Sequence, residues 1–510
     1  MALTTLDMLN EMRSHAGTRR TIGLTDETIE RFAAKDETLV AAVVAAYDAQ
    51  QALREESPEL LAMDETELRQ ALQVDYVNFY SDDSINPYVA LSAKGPWIVT
   101  AHGAVLHDNG GYGMLGLGHA PTEVVSAMSK PWVMANVMTP SFSHLRFGKL
   151  LRQELGHSRG GCPFDRFLCL NSGSEAVTLA CRIADINTGH LTVEGGRHHG
   201  KEVKYLSLAG SFHGRTFRPA RASDSTRKKY TQHLASFQRE DRLLTVPPND
   251  LDALRQVFAY ADENNIFIEM MLMEPVQGEG CPGQAIDRAF YDLARELTKT
   301  HGGMLLVDSI QAGLRTTGSL SIVDYPGFED CEVPDMETWS KALNGGQYPL
   351  SVLGCNERAA NLYERGVYGN TMTTNPRALE VGCAVLAQVN DALRANIRDR
   401  GEQLVAGLKS LQDEMPALVT SVQGTGLLCA AELDPAQCEV VGYGGVEELC
   451  RVNGLGVIHG GKNALRFTPH FGITEAEVEL VIEIVGEVLR GVVATNSLSA
   501  QTERQAELAQ

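Results

Sequence analysis

The chain has 510 residues, of which 44% are hydrophobic and 6% aromatic, and this length and composition predict a globular protein of two or more domains. Lys and Arg number 44 against 65 Asp and Glu, and the net charge of −21 argues against nucleic acids and anionic membranes as partners. The ten cysteines contain no Cys-x-x-Cys pair, which indicates reduced thiols and gives no sign of a metal site. The N-terminus lacks the basic start and apolar run of a signal peptide, and no stretch has the apolar length of a transmembrane helix, so we predict a cytoplasmic protein.

Residues 1–84 are predicted to form a helical N-terminal extension. Apolar residues recur at helical spacing in residues 39–47, and residues 64–67 have the spacing of a capping box at the start of a helix. No chemistry is assigned to this segment. We interpret it as an appendage that packs on the main body or lengthens a subunit interface.

From about residue 97 onward, short β-rich runs alternate with helical runs. The β-rich runs include residues 167–170, 204–208, 268–273 and 304–308. This alternation predicts an α/β fold, with a large domain at residues 141–385 built on a mostly parallel sheet. Residues 85–140 and 386–495 are predicted to form a smaller α+β domain, and the polar tail 496–510 is predicted to be disordered. In such sheets the chemistry lies at the carboxyl ends of the strands, which is where each motif below falls.

A Ser- and Gly-containing segment, residues 171–176 (Asn-Ser-Gly-Ser-Glu-Ala), follows one strand and opens a helix. Gly173 and Ser174 allow backbone amides to approach an anion, and the helix N-terminus favours a phosphate. Taken alone, the segment is equally typical of an ordinary helix cap.

Two further strand ends carry an aromatic residue and two carboxylates. In residues 211–216 (Ser-Phe-His-Gly-Arg-Thr), Phe212 is suited to stacking on a planar ring, whereas a lone turn histidine such as His213 is more often structural. In residues 273–280 (Met-Glu-Pro-Val-Gln-Gly-Glu-Gly), Glu274 and Glu279 are suited to pairing with cations or holding loops, and structural salt bridges are the alternative.

The last two motifs supply a buried carboxylate and a lysine. Asp308 ends an apolar run, where a carboxylate needs a cationic partner such as a protonated pyridine nitrogen. Lys341 follows a serine and precedes a glycine pair, and a lysine amine that has lost its proton forms an imine with an aldehyde. A lone lysine after a serine is usually a solvated surface residue, so this interpretation depends on the other segments.

In this order, the five segments resemble those of the class III (ω-amino acid type) aminotransferases, which depend on pyridoxal 5′-phosphate (PLP) and have fold type I. The resemblance covers about residues 85–490 and implies a mostly parallel sheet of the seven-stranded type. It also implies that Lys341 forms the internal aldimine and then shuttles the substrate proton in a ping-pong reaction, while Asp308 pairs with the pyridine nitrogen.

The resemblance further implies the remaining cofactor contacts and a second subunit. Ile310 backs the ring, and Gln311 reaches the phenolic oxygen. Thr371, in residues 368–376 (Tyr-Gly-Asn-Thr-Met-Thr-Thr-Asn-Pro), matches a threonine that contacts the phosphate of the partner subunit, which implies a homodimer with shared active sites. The implied cofactor-binding residues are Gly173, Ser174, Phe212, His213, Glu274, Asp308, Ile310, Gln311, Lys341 and Thr371.

Three residues are implied to contact the substrate. Arg466 stands where the family has an arginine for the α-carboxylate of glutamate or 2-oxoglutarate, and Glu279 matches a carboxylate that neutralises this arginine when an ω-amine enters. We expect Glu279 to pair with Arg466 in the amine half-reaction only, with a permanent structural pair as the alternative. Tyr112 stands where a substrate-facing aromatic is common, and core packing is the competing interpretation.

The chain also departs from the family pattern. Asp-Glu-Val-Gln becomes Asp-Ser-Ile-Gln at residues 308–311, Gly-Phe-Gly-Arg-Thr-Gly becomes Gly-Leu-Arg-Thr-Thr-Gly at residues 313–318, and the paired glycine before Asn375 becomes Thr373-Thr374. The cofactor contacts are kept. Substrate entry and the geometry of the interface are the features that these changes affect.

We therefore predict a PLP-dependent aminotransferase that moves an amino group from a primary, terminal amine or ω-amino acid to a keto acid such as 2-oxoglutarate or pyruvate. Its partners are these small molecules. Racemisation, decarboxylation or amino-group migration is the alternative on the same fold, because these reactions share the imine and differ in which bond lies perpendicular to the ring. A non-catalytic scaffold is disfavoured because Lys341 and Asp308 are both present.

Overall fold

The chain divides into two units, which are described separately. The computed structural model describes residues 3–134, 137–239 and 242–508, with side chains as far as residue 497. One unit consists of Met1–Pro121 and Arg400–Gln510, and the other of Thr122–Asp399. The predicted boundaries differ from this division, because residues 122–140 and 386–399, which we assigned to the smaller domain, belong to the second unit.

The secondary structure alternates as expected from the sequence. The strands are β1 (Ala90–Lys94), β2 (Trp97–Thr100), β3 (Val105–Asp108), β4 (Arg166–Leu170), β5 (Glu202–Leu208), β6 (Leu243–Val246), β7 (Ile266–Met273), β8 (Met304–Asp308), β9 (Met336–Trp339), β10 (Ser351–Cys355), β11 (Val419–Thr425), β12 (Leu428–Leu433), β13 (Leu455–Gly456), β14 (Ile458–Gly460) and β15 (Ala464–Phe467). The α-helices are α1 (Thr5–Ser14), α2 (Asp26–Ala33), α3 (Glu37–Glu56), α4 (Pro58–Leu61), α5 (Glu65–Gln73), α6 (Thr122–Ser129), α7 (Phe142–Glu154), α8 (Gly173–Thr192), α9 (Phe217–Ala222), α10 (Arg227–His233), α11 (Ala235–Gln238), α12 (Leu251–Glu263), α13 (Arg288–His301), α14 (Glu357–Leu362), α15 (Pro376–Leu386), α16 (Asp391–Glu414), α17 (Val446–Val452) and α18 (Glu475–Leu508). Short 3₁₀ helices span Asp82–Ser84, Ile322–Asp324 and Lys341–Asn344.

A seven-stranded sheet forms the centre of the second unit, in the order β4-β10-β9-β8-β7-β5-β6. Strands β9, β8, β7, β5 and β6 run parallel, and β10 is antiparallel to both of its neighbours. This confirms the predicted α/β fold with a mostly parallel sheet. Since β10 lies antiparallel between β4 and β9, the carboxyl end of β4 lies at the same sheet edge as those of β5, β7, β8 and β9.

Mostly apolar sequence explains why these strands form the core. All eight residues of β7 are buried, as are all five of β8, which is typical of parallel strands covered on both faces. Helix α8 packs its apolar face on the sheet, and its buried positions recur at helical spacing, including Ala176, Ala180, Ile183 and Ala184. This packing holds the amino end of α8 beside the strand ends.

The first unit contains two smaller sheets and the N-terminal helices. One sheet has the order β1-β2-β3-β13 and the other the order β11-β12-β15-β14. The N-terminal helices pack on the first sheet: the ring of Phe32 lies 5.2 Å from that of the fully buried Trp97, whose indole nitrogen donates to Asp36 Oδ2 at 2.5 Å. The extension therefore shares a core with this unit.

The last helix corrects the prediction of a disordered tail. Helix α18 continues to Leu508, whereas disorder was expected from residue 496. Within this stretch Asn496 Nδ2 donates to the backbone oxygen of Gln437 at 2.8 Å, which holds the helix to a loop of the same unit. Residues 509 and 510 lie outside the described residues. Among the residues that the structure describes, no helix is long and apolar enough to cross a membrane.

Candidate active site

Five of the predicted segments lie at one edge of the seven-stranded sheet. Asn171 follows β4, Ser211 lies in the loop after β5, Glu274 follows β7, Asp308 ends β8, and Lys341 lies two residues beyond β9. Parallel strands bring residues distant in sequence to a common edge. The structure thus brings these segments together as the sequence predicts.

Asp308 is buried at this edge, and hydrogen bonds fix both of its carboxylate oxygens. It is 3% exposed, and Oδ2 accepts from His213 Nδ1 at 2.9 Å. Oδ1 accepts from Thr338 Oγ1 at 3.2 Å and from the backbone amide of Ile310 at 3.2 Å. His213 is itself held by its backbone amide, which donates to Ser223 Oγ at 2.8 Å. The carboxylate therefore has a fixed orientation at the end of β8.

Lys341 opens a 3₁₀ helix in a strained backbone conformation. Its φ of 41° lies in the left-handed region, where a non-glycine residue is destabilised by about 1–3 kcal/mol. The preceding residue anchors this turn, since Ser340 Oγ donates to the backbone oxygen of Leu350 at 2.8 Å. The half-buried amine donates to Gln311 Oε1, in the turn after β8. Strained residues cluster at functional sites, so this conformation is consistent with a catalytic lysine.

The start of α8 forms a cradle that suits a phosphate. Ser172 caps the helix in a reciprocal box with Glu175, so that the helix begins at Gly173 with its amides directed outward. A Cβ on Gly173 would lie 2.6 Å from Ile310 Cδ1, and a Cβ on Gly214, at φ +110°, would lie 2.3 Å from Ser174 Oγ. A side chain at Gly173 would therefore require Ile310 to move, and at Gly214 the positive φ also favours glycine.

Glu274 joins the loop after β5 to the loop after β7. Its Oε1 accepts from the amide of Phe212 at 2.9 Å, and its Oε2 accepts from the amide of Gly278 at 2.8 Å. Burial raises the pKa of Glu274 to about 7, with a further contribution from the Asp308 carboxylate and an opposing one from His213. Glu274 thus positions Phe212, whose half-buried ring carries the Arg215 guanidinium 5.3 Å from its centre.

The residues at this edge fit PLP. Gln311 Nε2 and His213 Nε2 are buried without a hydrogen-bond partner among the described residues, and such atoms indicate a polar group that completes the site. The cradle at Gly173 suits the phosphate, Asp308 suits a pyridinium nitrogen, and Lys341 suits the aldehyde.

Thr371 is exposed, in a segment that lies against the start of α8 in the same chain. The Tyr368 hydroxyl and Asn370 Nδ2 donate to Glu175 Oε1 at 3.0 and 2.7 Å, and Asn171 Nδ2 donates to Asn370 Oδ1 at 3.0 Å. The segment is thereby placed next to the cradle. The contact of Thr371 with the phosphate of another subunit stays a prediction.

The three predicted substrate residues are divided between the two units. Glu279, half-buried, belongs to the unit with the seven-stranded sheet, whereas Arg466 on β15 and Tyr112 belong to the other. Arg466 is 4% exposed, and Tyr112 has a left-handed φ of 49° with its ring centre 5.8 Å from that of Tyr80. The switch between Glu279 and Arg466, and the contact of Tyr112 with substrate, stay predictions.

Sequence reasoning missed the residues that hold Asp308 and its partner. Thr338 contacts Asp308 because the two are opposite each other in the register of β8 and β9, and Ser223 reaches His213 across a loop. Register is a property of strand pairing, so no local pattern predicts the contact of Thr338 with Asp308.

Comparison with known proteins identifies relatives over most of the chain. Residues 79–489 match the family Aminotransferase class-III. The chain is 30% identical over 384 residues to the acetylornithine aminotransferase of Synechocystis sp., which covers 73% of this chain and 82% of that protein. It is 28% identical over 413 residues to the acetylornithine/succinyldiaminopimelate aminotransferase of Photorhabdus laumondii, which covers 80% of this chain and 94% of that protein.

Solved structures share the fold. The ornithine aminotransferase from Toxoplasma gondii ME49 superposes with a TM-score of 0.71 at 22% identity and covers 87% of this chain and 99% of its own. The N-acetylornithine aminotransferase from Stenotrophomonas maltophilia gives a TM-score of 0.63 at 23% identity and covers 84% of this chain and 100% of its own. Most of the N-terminal extension precedes the family match.

Proposed function

The chain belongs to the class III aminotransferase family, and from this premise we propose that it transfers the terminal amino group of a primary amine or ω-amino acid to a keto acid such as 2-oxoglutarate. It is a PLP-dependent transferase of fold type I. The observation that carries the proposal is the placement of Lys341, Gln311 and Asp308 at the ends of adjacent strands, beside an anion cradle.

Each of these residues has a chemical task that follows from its surroundings. When bound, PLP withdraws electrons from the substrate carbon through its protonated ring. The fixed carboxylate of Asp308 stabilises that ring charge, and Gln311 has an unpartnered Nε2 that can donate to a ring oxygen. Lys341 would hold the aldehyde and could then move a proton, and Gly173 and Ser174 would hold the phosphate.

The names of the relatives indicate which donors to test first. Acetylornithine, succinyldiaminopimelate and ornithine aminotransferases are named for substrates with an amine remote from a carboxylate. We infer that this chain accepts an ω-amino donor of the same kind. Arg466 suits the α-carboxylate of the keto acid, since a guanidinium binds a carboxylate with two hydrogen bonds.

A homodimer is supported by an apolar surface on the unit with the seven-stranded sheet. Apolar side chains near the start of α7 are strongly exposed: Val133 60%, Met138 85%, Phe142 78% and Leu145 67%. Several large apolar side chains exposed within one short stretch of sequence are typical of an interaction site, and a second copy is the occupant we propose. We also propose a cytoplasmic location, on the composition of the chain.

A half-reaction tests the proposed function. Protein loaded with PLP is mixed with ornithine, acetylornithine or a diamine in the absence of keto acid, and the absorbance of the bound cofactor is followed. We expect conversion to the pyridoxamine form with an ω-amino donor, and its reversal by 2-oxoglutarate. The Lys341→Ala variant is expected to show neither. The proposal would be contradicted if wild-type protein takes up PLP but no amine converts the bound cofactor to the pyridoxamine form.

A further inference from the structure

Glu337 is a fully buried carboxylate to which the proposed chemistry gives no task. It lies on β9, opposite Val307 of β8, and is 0% exposed. Its Oε1 accepts from Ser309 Oγ at 2.6 Å and from the amide of Ile322 at 3.0 Å, and its Oε2 accepts from Ser321 Oγ at 2.5 Å. One carboxylate thus binds two separate loops.

One of these loops carries the residues for the cofactor. Ser309 lies directly after Asp308 and two residues before Gln311, and its amide donates to the backbone oxygen of Thr338 at 3.0 Å. Lys341 lies four residues after Glu337 on the same segment. The Glu337–Ser309 hydrogen bond therefore connects the segment of Lys341 with the turn of Asp308 and Gln311.

The sequence supports this assignment. The acidic residue of the family pattern at position 309 is replaced here by serine, and the structure places a different acidic residue, Glu337, in contact with that serine. A buried carboxylate without its hydrogen bonds is strongly unfavourable, so this hydrogen bond constrains the positions of both Glu337 and Ser309.

Resting on the proposed function, we propose that Glu337 is a positioning residue, which through Ser309 sets the distance of Asp308 and Gln311 from Lys341 and so determines how tightly PLP is held. Its action is indirect, because its carboxylate contacts the supporting turn rather than the cofactor. Side chains locked by surrounding hydrogen bonds are the usual means of holding a site within a fraction of an ångström of its productive geometry.

The surroundings of Glu337 shift its pKa to about 7. Burial is the largest cause of the rise and the Asp324 carboxylate adds to it, whereas the hydrogen bonds from Ser309, Ser321 and Ile322 oppose it. Further titratable groups that face it are Tyr291, Tyr325 and Cys331. Protonation converts one acceptor oxygen of Glu337 into a donor, so its hydrogen bonds to the two serines rearrange as the pH falls.

Ser309 and Ser321 provide a matched pair of variants for the test. Both are buried hydroxyls that donate to the same carboxylate, but only Ser309 adjoins the cofactor residues. The full-length apoprotein of each variant is titrated with PLP, and the apparent dissociation constant, the absorbance spectrum of the bound cofactor and the melting temperature are recorded. We expect Ser309→Ala to weaken PLP binding by about fivefold or more and to change the spectrum, while Ser321→Ala changes affinity less than about twofold.

Two further variants strengthen the comparison. Ser309→Thr keeps the hydroxyl and is expected to restore wild-type affinity and spectrum, and Glu337→Gln is expected to follow Ser309→Ala. Should Glu337→Gln fail to fold, the serine pair still decides. If Ser309→Ala and Ser321→Ala lower the melting temperature but leave the PLP affinity and the spectrum of the bound cofactor unchanged, Glu337 serves stability only and the inference is wrong. Wild-type protein that takes up no PLP would instead contradict the proposed function.

Discussion

Thr374 is a β-branched residue in a conformation that favours glycine. Its φ is 60°, just before Asn375 caps helix α15 by accepting from the amide of Arg377 at 2.9 Å. The class III pattern has a glycine pair here, which this chain replaces with Thr373 and Thr374. Of these two residues, only Thr374 has a positive φ. Thr373 instead donates from its hydroxyl to the backbone oxygen of Asn370 at 2.8 Å. The two positions therefore differ in what glycine would do.

We predict that Thr374→Gly stabilises the protein. Relief of the left-handed strain stabilises the folded state, and the greater chain entropy of glycine in the unfolded state offsets part of this gain. The net effect is an increase of about 1 kcal/mol in the free energy of unfolding. Thr373→Gly loses a hydrogen bond without relieving strain and is expected to destabilise. Urea denaturation of the two variants checks this, and equal effects of both would show that φ at Thr374 is not a source of strain.

At the scale of elements, His301 joins the end of helix α13 to strand β7. Its Nε2 accepts from the amide of Ile268 at 3.1 Å, which only an imidazole unprotonated at this nitrogen can do. The pKa of His301 is lowered to about 4, chiefly by burial. The nearby His198, Lys201 and Arg197 contribute to the lowering, and the carboxylate of Asp262 opposes it. The ring also lies 5.3 Å from His198.

We predict an acid-sensitive stability from this contact. The folded state holds the pKa of His301 below its ordinary value of 6.5, so between pH 6.5 and about 4 the unfolded state binds more protons. The stabilisation is complete above pH 6.5 and is lost as the pH falls toward 4. Melting temperatures measured from pH 7.5 to 4.5 should decline less steeply for His301→Gln, which keeps an acceptor but does not titrate. The exposed His233→Gln serves as the control and should decline as wild type does.

Elements with a strong local pattern were predicted well, and those defined by pairing were not. Residues 304–308 form β8 as expected, because a continuous apolar run has no alternative to burial on both faces. Strand β9 was not predicted, since its sequence, Met-Glu-Thr-Trp, places the polar Glu337 and Thr338 in a fully buried strand. Their burial is explained by partners on β8 and its loop, which are brought near only by the strand order.

The same division holds for the candidate site. Lys341, Asp308 and the cradle at Gly173 were predicted from motifs that each lie within one short segment. The contacts of Thr338 with Asp308 and of Glu337 with Ser309 join residues 30 and 28 positions apart. Ser223 reaches His213 across a loop, and none of the three contacts has a local signature. The helical continuation of α18 was missed because its polar composition is equally typical of a solvated helix and of a disordered tail.

At the scale of the whole molecule, the proposed assembly centres on Thr371. The resemblance assigns it to the partner subunit's phosphate, while Tyr368 and Asn370 of the same segment contact Glu175 of their own chain. The proposal of shared sites thus has a definite alternative, in which Thr371 serves the cradle of its own subunit. Mixed dimers distinguish the two, because each variant subunit carries a single defect.

We predict that a dimer of one Lys341→Ala subunit and one Thr371→Ala subunit has one intact active site. If sites are shared, the lysine of the Thr371→Ala subunit works with the threonine of the other subunit, and activity is about half that of wild type. If each site is built from one chain, both sites carry a defect and activity does not exceed that of the parent variants. Coexpression with two affinity tags and tandem purification isolates the mixed dimer, and activity is measured at limiting PLP.

A mixed dimer of wild-type and Lys341→Ala subunits should retain about half of the activity under either arrangement and so calibrates the assay. Failure to recover any doubly tagged protein would show that the chain does not form the proposed dimer.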